Sequence, residues 1–118
     1  MERTVLVVDD DADILAATSS MLGKRGLGSI TAMSAEEALD ILKKYSPDII
    51  LTDVLLPQMI RTYPPTAGIP VIVMTGRAQM KDAFEIAGVA AFIAKPFSPE
   101  QLMETIFGVF RMGEGSEA

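Results

Sequence analysis

Apolar and polar positions along this chain follow two alternating periods. Thr4 to Val8 is a continuous apolar run, the mark of a strand buried on both faces. Asp11 or a neighbour then caps a helix, in which Ile14, Ala17 and Met21, with Leu15 and Leu22, repeat at helical spacing. Gly23 and Gly26 supply its stop. Leu27 to Met33 is a weaker strand, interrupted by Gly28 and suited to a sheet edge. Ser34 and Glu37 stand three apart, the capping-box spacing, and Ala35, Ala38, Leu39 and Leu42 share one face of the helix that follows. Ser46-Pro47 ends it, because the residue before a proline avoids helical geometry. Asp48 to Asp53 and Ile69 to Thr75 read as the third and fourth strands. A helix over about 78–87, closed by Gly88, leads to a short fifth strand from Ala90 to Ala94. Ser98-Pro99-Glu100-Gln101 opens the last helix, with a capping serine, proline in the first turn and glutamine three residues on. Leu102, Ile106, Val109 and Phe110 form its buried stripe, so the folded domain is predicted over residues 1–112, with 113–118 a flexible tail.

Strands that alternate with helices make a parallel sheet covered on both faces. With right-handed crossovers this predicts an α/β fold of three layers, flavodoxin-like, its five strands in the order 2-1-3-4-5. All strand ends then fall on one edge of the sheet, which gathers Asp9-Asp10, Asp53, Thr75 and Lys95. One connection breaks the pattern. Residues 54–70 join the third strand to the fourth, and Pro64-Pro65 leaves room for about one helical turn. The third helix is therefore shortened or missing. A poorly covered apolar sheet face would follow, and a second copy of the chain, in a homodimer, would cover it.

Composition narrows the chemistry. A chain of 118 residues that is 49% hydrophobic is one globular domain. It has no cysteine and no histidine, which excludes disulfides, thiolate or imidazole metal sites, and histidine-dependent hydrolysis on this chain. The net charge of −6 disfavours direct nucleic-acid binding. No apolar run is long enough to cross a membrane, and a cytoplasmic location is expected. Two carboxylates ~4 Å apart repel by about 4 kcal/mol at an effective dielectric of ~20. One ammonium, Lys95, does not neutralise three acids. A hard divalent cation, Mg²⁺, suits such an oxygen-ligand cluster and habitually shares its coordination with a phosphate oxygen. Asp53 is then the nucleophile of a phosphoryl transfer, with Asp9 and Asp10 on the metal, and Lys95 and the Thr75 hydroxyl on phosphoryl oxygens.

Val8-Asp9-Asp10, Asp53 with Pro57 four residues on, Thr75-Gly76, Lys95-Pro96-Phe97 and Gly88 to Phe92 resemble, in order and approximate spacing over residues 4 to 110, the response-regulator receiver domains of two-component signalling. The resemblance implies a phosphoprotein whose Asp53 takes a phosphoryl group from a sensor histidine kinase or phosphotransfer protein. It implies Mg²⁺ held by Asp10, Asp53 and the backbone carbonyl of Leu55, with Asp9 acting partly through water. It further implies a cis Lys95–Pro96 peptide, and Phe92 as an aromatic that moves with Thr75 on phosphorylation. Arg77 is a second candidate for the phosphoryl oxygens, and the apolar Leu55 predicts slow loss of the phosphate. The domain is then a regulatory phosphoacceptor with only its own transfer and slow dephosphorylation chemistry. A second reading keeps the pocket but makes the domain a degenerate receiver that acts as a constitutive interaction or dimerisation module. The shortened crossover favours it.

Overall fold

The computed structural model describes residues 3–53, 68–76 and 89–115. Its elements are β1 (Thr4–Val8), α1 (Ala12–Gly23), β2 (Gly28–Ala32), α2 (Ala35–Leu42), β3 (Ile49–Asp53), β4 (Val71–Gly76), β5 (Ala91–Lys95) and α3 (Pro99–Gly115). All neighbouring strands run parallel, in the order β2-β1-β3-β4-β5. The expected α/β architecture and strand order are those observed, with glycine-interrupted β2 on an edge.

β1 shows how the sheet separates two cores. Successive side chains of a strand point to opposite faces. Val5 and Val7 join one apolar cluster, with Leu15 and Leu22 of α1 and Leu102, Ile106 and Val109 of α3. Leu6 and Val8 join the other, with Ala38 and Leu42 of α2 and with Ile50, Val71 and Val73 of the central strands. Val5, Leu6, Val7 and Val8 are all fully buried. Burying a Val or Leu side chain contributes about 1.5–3 kcal/mol, so the continuous run is the sheet's apolar spine.

The helix starts follow their sequence signals. Asp11 caps α1, accepting from the backbone N–H of Asp13 and Ile14 at 2.9 and 3.3 Å. Ser34 caps α2 through the N–H of Glu37, while the Glu37 carboxylate reaches back to the N–H of Met33. Ser98 and Gln101 form a reciprocal capping box. The turn that follows α1 closes at Gly26, whose φ of 79° favours a residue without Cβ, and the N–H of Leu27 returns to the carbonyl of Leu22.

Three expectations shift. The buried side of α1 is Leu15, Thr18 and Leu22, with Ile14 and Met21 half-buried and Ala17 exposed. The helix turns its two leucines inward because they bury more apolar surface than the stripe through Ala17. α3 runs on to Gly115, three residues into the stretch whose composition suggested a tail. The strand residues on the α2 side of the sheet are not bare either: Leu6, Val8, Ile50, Val71 and Val73 are fully buried within one chain. The shortened crossover with Leu55, the helix over 78–87 with Arg77, and residues 116–118 lie outside the described residues. Among the described residues no helix is long and apolar enough to cross a membrane.

Candidate functional site

The parallel strands carry their last residues to one rim. β1 delivers Asp9, whose N–H still pairs with the carbonyl of Ala32 at 3.0 Å and so extends the ladder by one residue. β3 ends on Asp53, β4 carries Thr75, and β5 ends on Lys95. Register sets their relative depth, with Asp53 opposite Met74 and Thr75 opposite Ala94. Ligands bind at this carboxyl edge in open α/β sheets.

Lys95 is the hub. Its ammonium lies 2.6 Å from Oδ2 of Asp9 and 3.6 Å from Oδ2 of Asp53. Asp9 is only 1% exposed, and a buried carboxylate is costly unless paired and hydrogen-bonded. Both of its oxygens are engaged, Oδ2 by Lys95 and Oδ1 by the backbone N–H of Asp11 at 2.9 Å. Asp53 is partly accessible and Asp10 exposed. One carboxylate oxygen from each of Asp9, Asp10 and Asp53 lies within 4.8 Å of the others. Burial of the Lys95 ammonium pulls its pKa down, but the hydrogen bond and charge of Asp9 and the charge of Asp53 more than offset this. The net result is a pKa raised above the usual 10.5.

The other residues singled out in the sequence surround this hub. Thr75 is buried, and its hydroxyl donates to the carbonyl of Gly76 at 3.0 Å. Phe92 is half-buried and packs against the α2-side cluster rather than among the acids. The Lys95–Pro96 bond is cis. The sequence alone pairs Lys95 with a phosphoryl oxygen and does not show its bond to Asp9. Nor does it show that the Asp11 N–H donates to Asp9. The available signal was the acid run itself: of three consecutive aspartates, the one nearest a buried strand requires a cation and a donor.

The donor set suits a hard cation. It is made of carboxylate oxygens, with no nitrogen or sulfur. Two oxygens bound opposite each other across Mg²⁺ stand about 4.2 Å apart, given metal–oxygen distances of ~2.1 Å. The cluster is therefore near the scale of direct ligation, with room for water-mediated contact by one member.

The family model described as response regulator receiver domain matches residues 5–107. The chain belongs to the response-regulator receiver family. Receiver domains are regulatory modules of two-component systems, which typically work with histidine kinases or phosphotransfer proteins and bind Mg²⁺ at an acidic pocket. Among its relatives, the phosphate regulon transcriptional regulatory protein PhoB of Klebsiella pneumoniae is 31% identical over 121 residues, covering 94% of this chain and 53% of that protein. The probable transcriptional regulator ycf27 of Porphyra purpurea is 31% identical over 120 residues, covering 96% and 49%. The receiver domain thus spans about half the length of the curated relatives it matches. In structure it resembles the CheY-like receiver domain protein of Methanospirillum hungatei JF-1, with a TM-score of 0.85 at 27% identity over 98% of this chain and 99% of the other. It also resembles the chemotaxis response regulator CheY4 of Vibrio cholerae, with a TM-score of 0.81 at 28% identity over 92% and 99%.

Proposed function

We propose that this receiver domain is a phosphoryl-accepting switch and that Asp53 is its acceptor. One observation carries the reading. A single ammonium stands within 4 Å of two carboxylates from strands far apart in sequence, with a third carboxylate at the same rim. Among the described residues the three carboxylates outnumber the one ammonium beside them, and such a cluster gains from a divalent cation and from the transferred group's interaction with Lys95.

Asp10 and Asp53 are the residues to hold Mg²⁺, with Asp9 reaching through water and the carbonyl of Leu55, outside the described residues, as a further ligand. The ion would supply charge neutralisation for the transferred group. An oxygen of Asp53 attacks the phosphorus of a phosphohistidine on a partner protein. The P–N bond breaks as the P–O bond forms. The imidazole leaves with the electron pair and takes up a proton, and Asp53 becomes an acyl phosphate. Asp53 is partly accessible, so a donor can approach it, whereas Asp9 is closed in by its two partners.

The added group brings about −1.5 to −2 charge and strong acceptor oxygens. Lys95 exchanges its longer contact with Asp53 for a phosphoryl oxygen while keeping Asp9. Thr75 exchanges the carbonyl of Gly76 for a phosphoryl oxygen, and Phe92, on the neighbouring strand opposite Val73, follows it inward. These contacts exist only in the phosphorylated form, so they shift a pre-existing equilibrium in proportion to their differential strength.

Phosphate-affinity electrophoresis after incubation with acetyl phosphate tests the reading. A retarded band that requires Mg²⁺ and is lost in Asp53→Asn is the expected result. A wild-type chain that stays unshifted with Mg²⁺ and acetyl phosphate would overturn it.

A further inference from the structure

We infer that Asp11 is a positioning residue for the phosphoacceptor centre, acting through the cap of α1 on Asp9 and thence on Lys95. The inference rests on the reading of Asp53 as acceptor. Asp11 does two things at once. Its carboxylate accepts from the N–H groups of Asp13 and Ile14, which fixes the backbone at φ −96° and ψ 109°, the extended conformation of a capping residue. In that conformation its own N–H donates to Oδ1 of Asp9 at 2.9 Å.

Among the described residues, that N–H is one of two groups bonded to a carboxylate that is almost wholly buried. With Oδ1 held by Asp11 and Oδ2 by Lys95, the Asp9 carboxylate cannot rotate without leaving a buried acceptor unsatisfied. Its fixed orientation in turn holds the Lys95 ammonium 3.6 Å from Asp53. A path of four groups therefore runs from the first turn of α1 to the acceptor: cap carboxylate, Asp11 N–H, Asp9, Lys95. When the cap side chain is removed, the first turn frays and the N–H drifts. Asp9 then turns toward its remaining partner, and Lys95 leaves the position from which it meets the incoming group. Asp11 itself is exposed and need not touch the phosphoryl group.

The alternative source of any effect is the charge of Asp11 at an acidic rim, and the choice of variants separates the two. Asp11→Ser and Asp11→Asn remove the charge and keep a capping oxygen. Asp11→Gly removes both but is well tolerated at a cap position, so it folds even where Asp11→Ala does not. In the full chain with saturating Mg²⁺ and acetyl phosphate, Asp11→Ala is expected to slow labelling of Asp53 roughly five-fold, the factor that corresponds to one lost cap, and Asp11→Gly by less, because glycine is itself an acceptable cap residue. Asp11→Ser and Asp11→Asn are expected to restore the rate to within about two-fold, since their side chains cap as Asp does. Amide exchange at residue 11, measured by NMR without metal, gives the spectroscopic signature. Protection should fall in the Ala and Gly variants and return in Ser and Asn.

Equal slowing in all four variants would assign the effect to charge and overturn the inference. So would an unchanged rate in Asp11→Ala, or a loss of thermal stability with no change in rate. A wild-type chain that is not labelled strikes instead at Asp53 as acceptor, and the exchange measurement still decides whether Asp11 holds Asp9.

Discussion

The interior of the sheet and its carboxyl rim are built from the same strands and obey different physics. Three residues of β3, Ile49, Ile50 and Leu51, are fully buried among apolar neighbours, and two residues later the strand ends on a carboxylate. β1 does the same, four buried apolar residues and then Asp9. Inside, stability comes from area removed from water and from packing, and a defect costs about the same at any pH or salt. At the rim, acids stand together against mutual repulsion around the Lys95 ammonium, and the balance depends on metal, pH and a transferable group. A rigid interior is what allows the rim to be strained: it fixes where the charges sit, whatever they would prefer.

Substitutions should therefore separate activity from stability according to region. The largest expected effect is Asp53→Asn, which should abolish labelling by acetyl phosphate while leaving the thermal midpoint unchanged or raised, because one of three neighbouring negative charges is gone. Electrophoresis and a thermal scan on the same samples read both. A lowered midpoint would mean that Asp53 stabilises the fold instead of being held by it.

Ile50→Ala is the converse. The residue is fully buried between the sheet and the α2 side. It should cost about 2–5 kcal/mol in urea unfolding, with labelling of the folded fraction retained. A loss of under about 1 kcal/mol would show that the interior relaxes around the cavity.

Lys95→Met falls between them. Breaking a buried pair by removing one partner costs about 3–5 kcal/mol. The Lys95 side chain keeps 23% of its exposure, so water reaches the site and the cost drops to about 1–3 kcal/mol. Unlike the loss in Ile50→Ala, this one should be partly recovered by millimolar Mg²⁺, measured by unfolding with and without chelator.

How far this comparison was legible beforehand follows the same division. The interior was readable because its signals are local. The run from Thr4 to Val8 could only be a doubly buried strand, and Ser98-Pro99-Glu100-Gln101 marked a helix start whose two reciprocal bonds are present. Local signals fail where two stripes are equally well spaced. On α1, the stripe through Ala17 and the stripe through Thr18 are one residue apart, and the neighbouring elements decide between them. At the rim, alternation of strand and helix placed the charged residues on one edge, but not their pairing. Lys95 and Asp9 are 86 residues apart, and nothing in either neighbourhood announces a 2.6 Å bond. Which acid becomes the buried counter-ion and which stays exposed depends on how far each strand runs before it ends. That is a property of the assembled sheet.

Smaller effects sharpen the picture of the rim. A cation that binds only the folded chain stabilises it by RT ln(1 + [L]/Kd), about 1.4 kcal/mol at ten times Kd. Mg²⁺ should therefore raise the midpoint of the wild-type chain, and Asp10→Asn should reduce that rise without lowering the metal-free midpoint. Calorimetric scans over a Mg²⁺ series read it, and an equal rise in both would remove Asp10 from the metal site.

The smallest expected effect is alkaline. The pKa of Lys95 is raised in the folded chain, so its contribution to stability is fully present below the ordinary value of 10.5 and is lost as pH rises through the higher folded value. Metal-free wild-type protein should lose stability above pH 10.5 more steeply than Lys95→Met, measured by urea unfolding across that range. Parallel profiles would mean that the ammonium is not held by its acids.

The most direct test asks which atom carries the phosphoryl group. After acetyl phosphate and Mg²⁺, borohydride reduction followed by peptide mass spectrometry should convert Asp53, and no other aspartate, to homoserine. Omission of Mg²⁺ should leave it intact. Conversion at Asp9 or Asp10, or none at all in a chain that binds Mg²⁺, would contradict Asp53 as the acceptor around which the rim is organised.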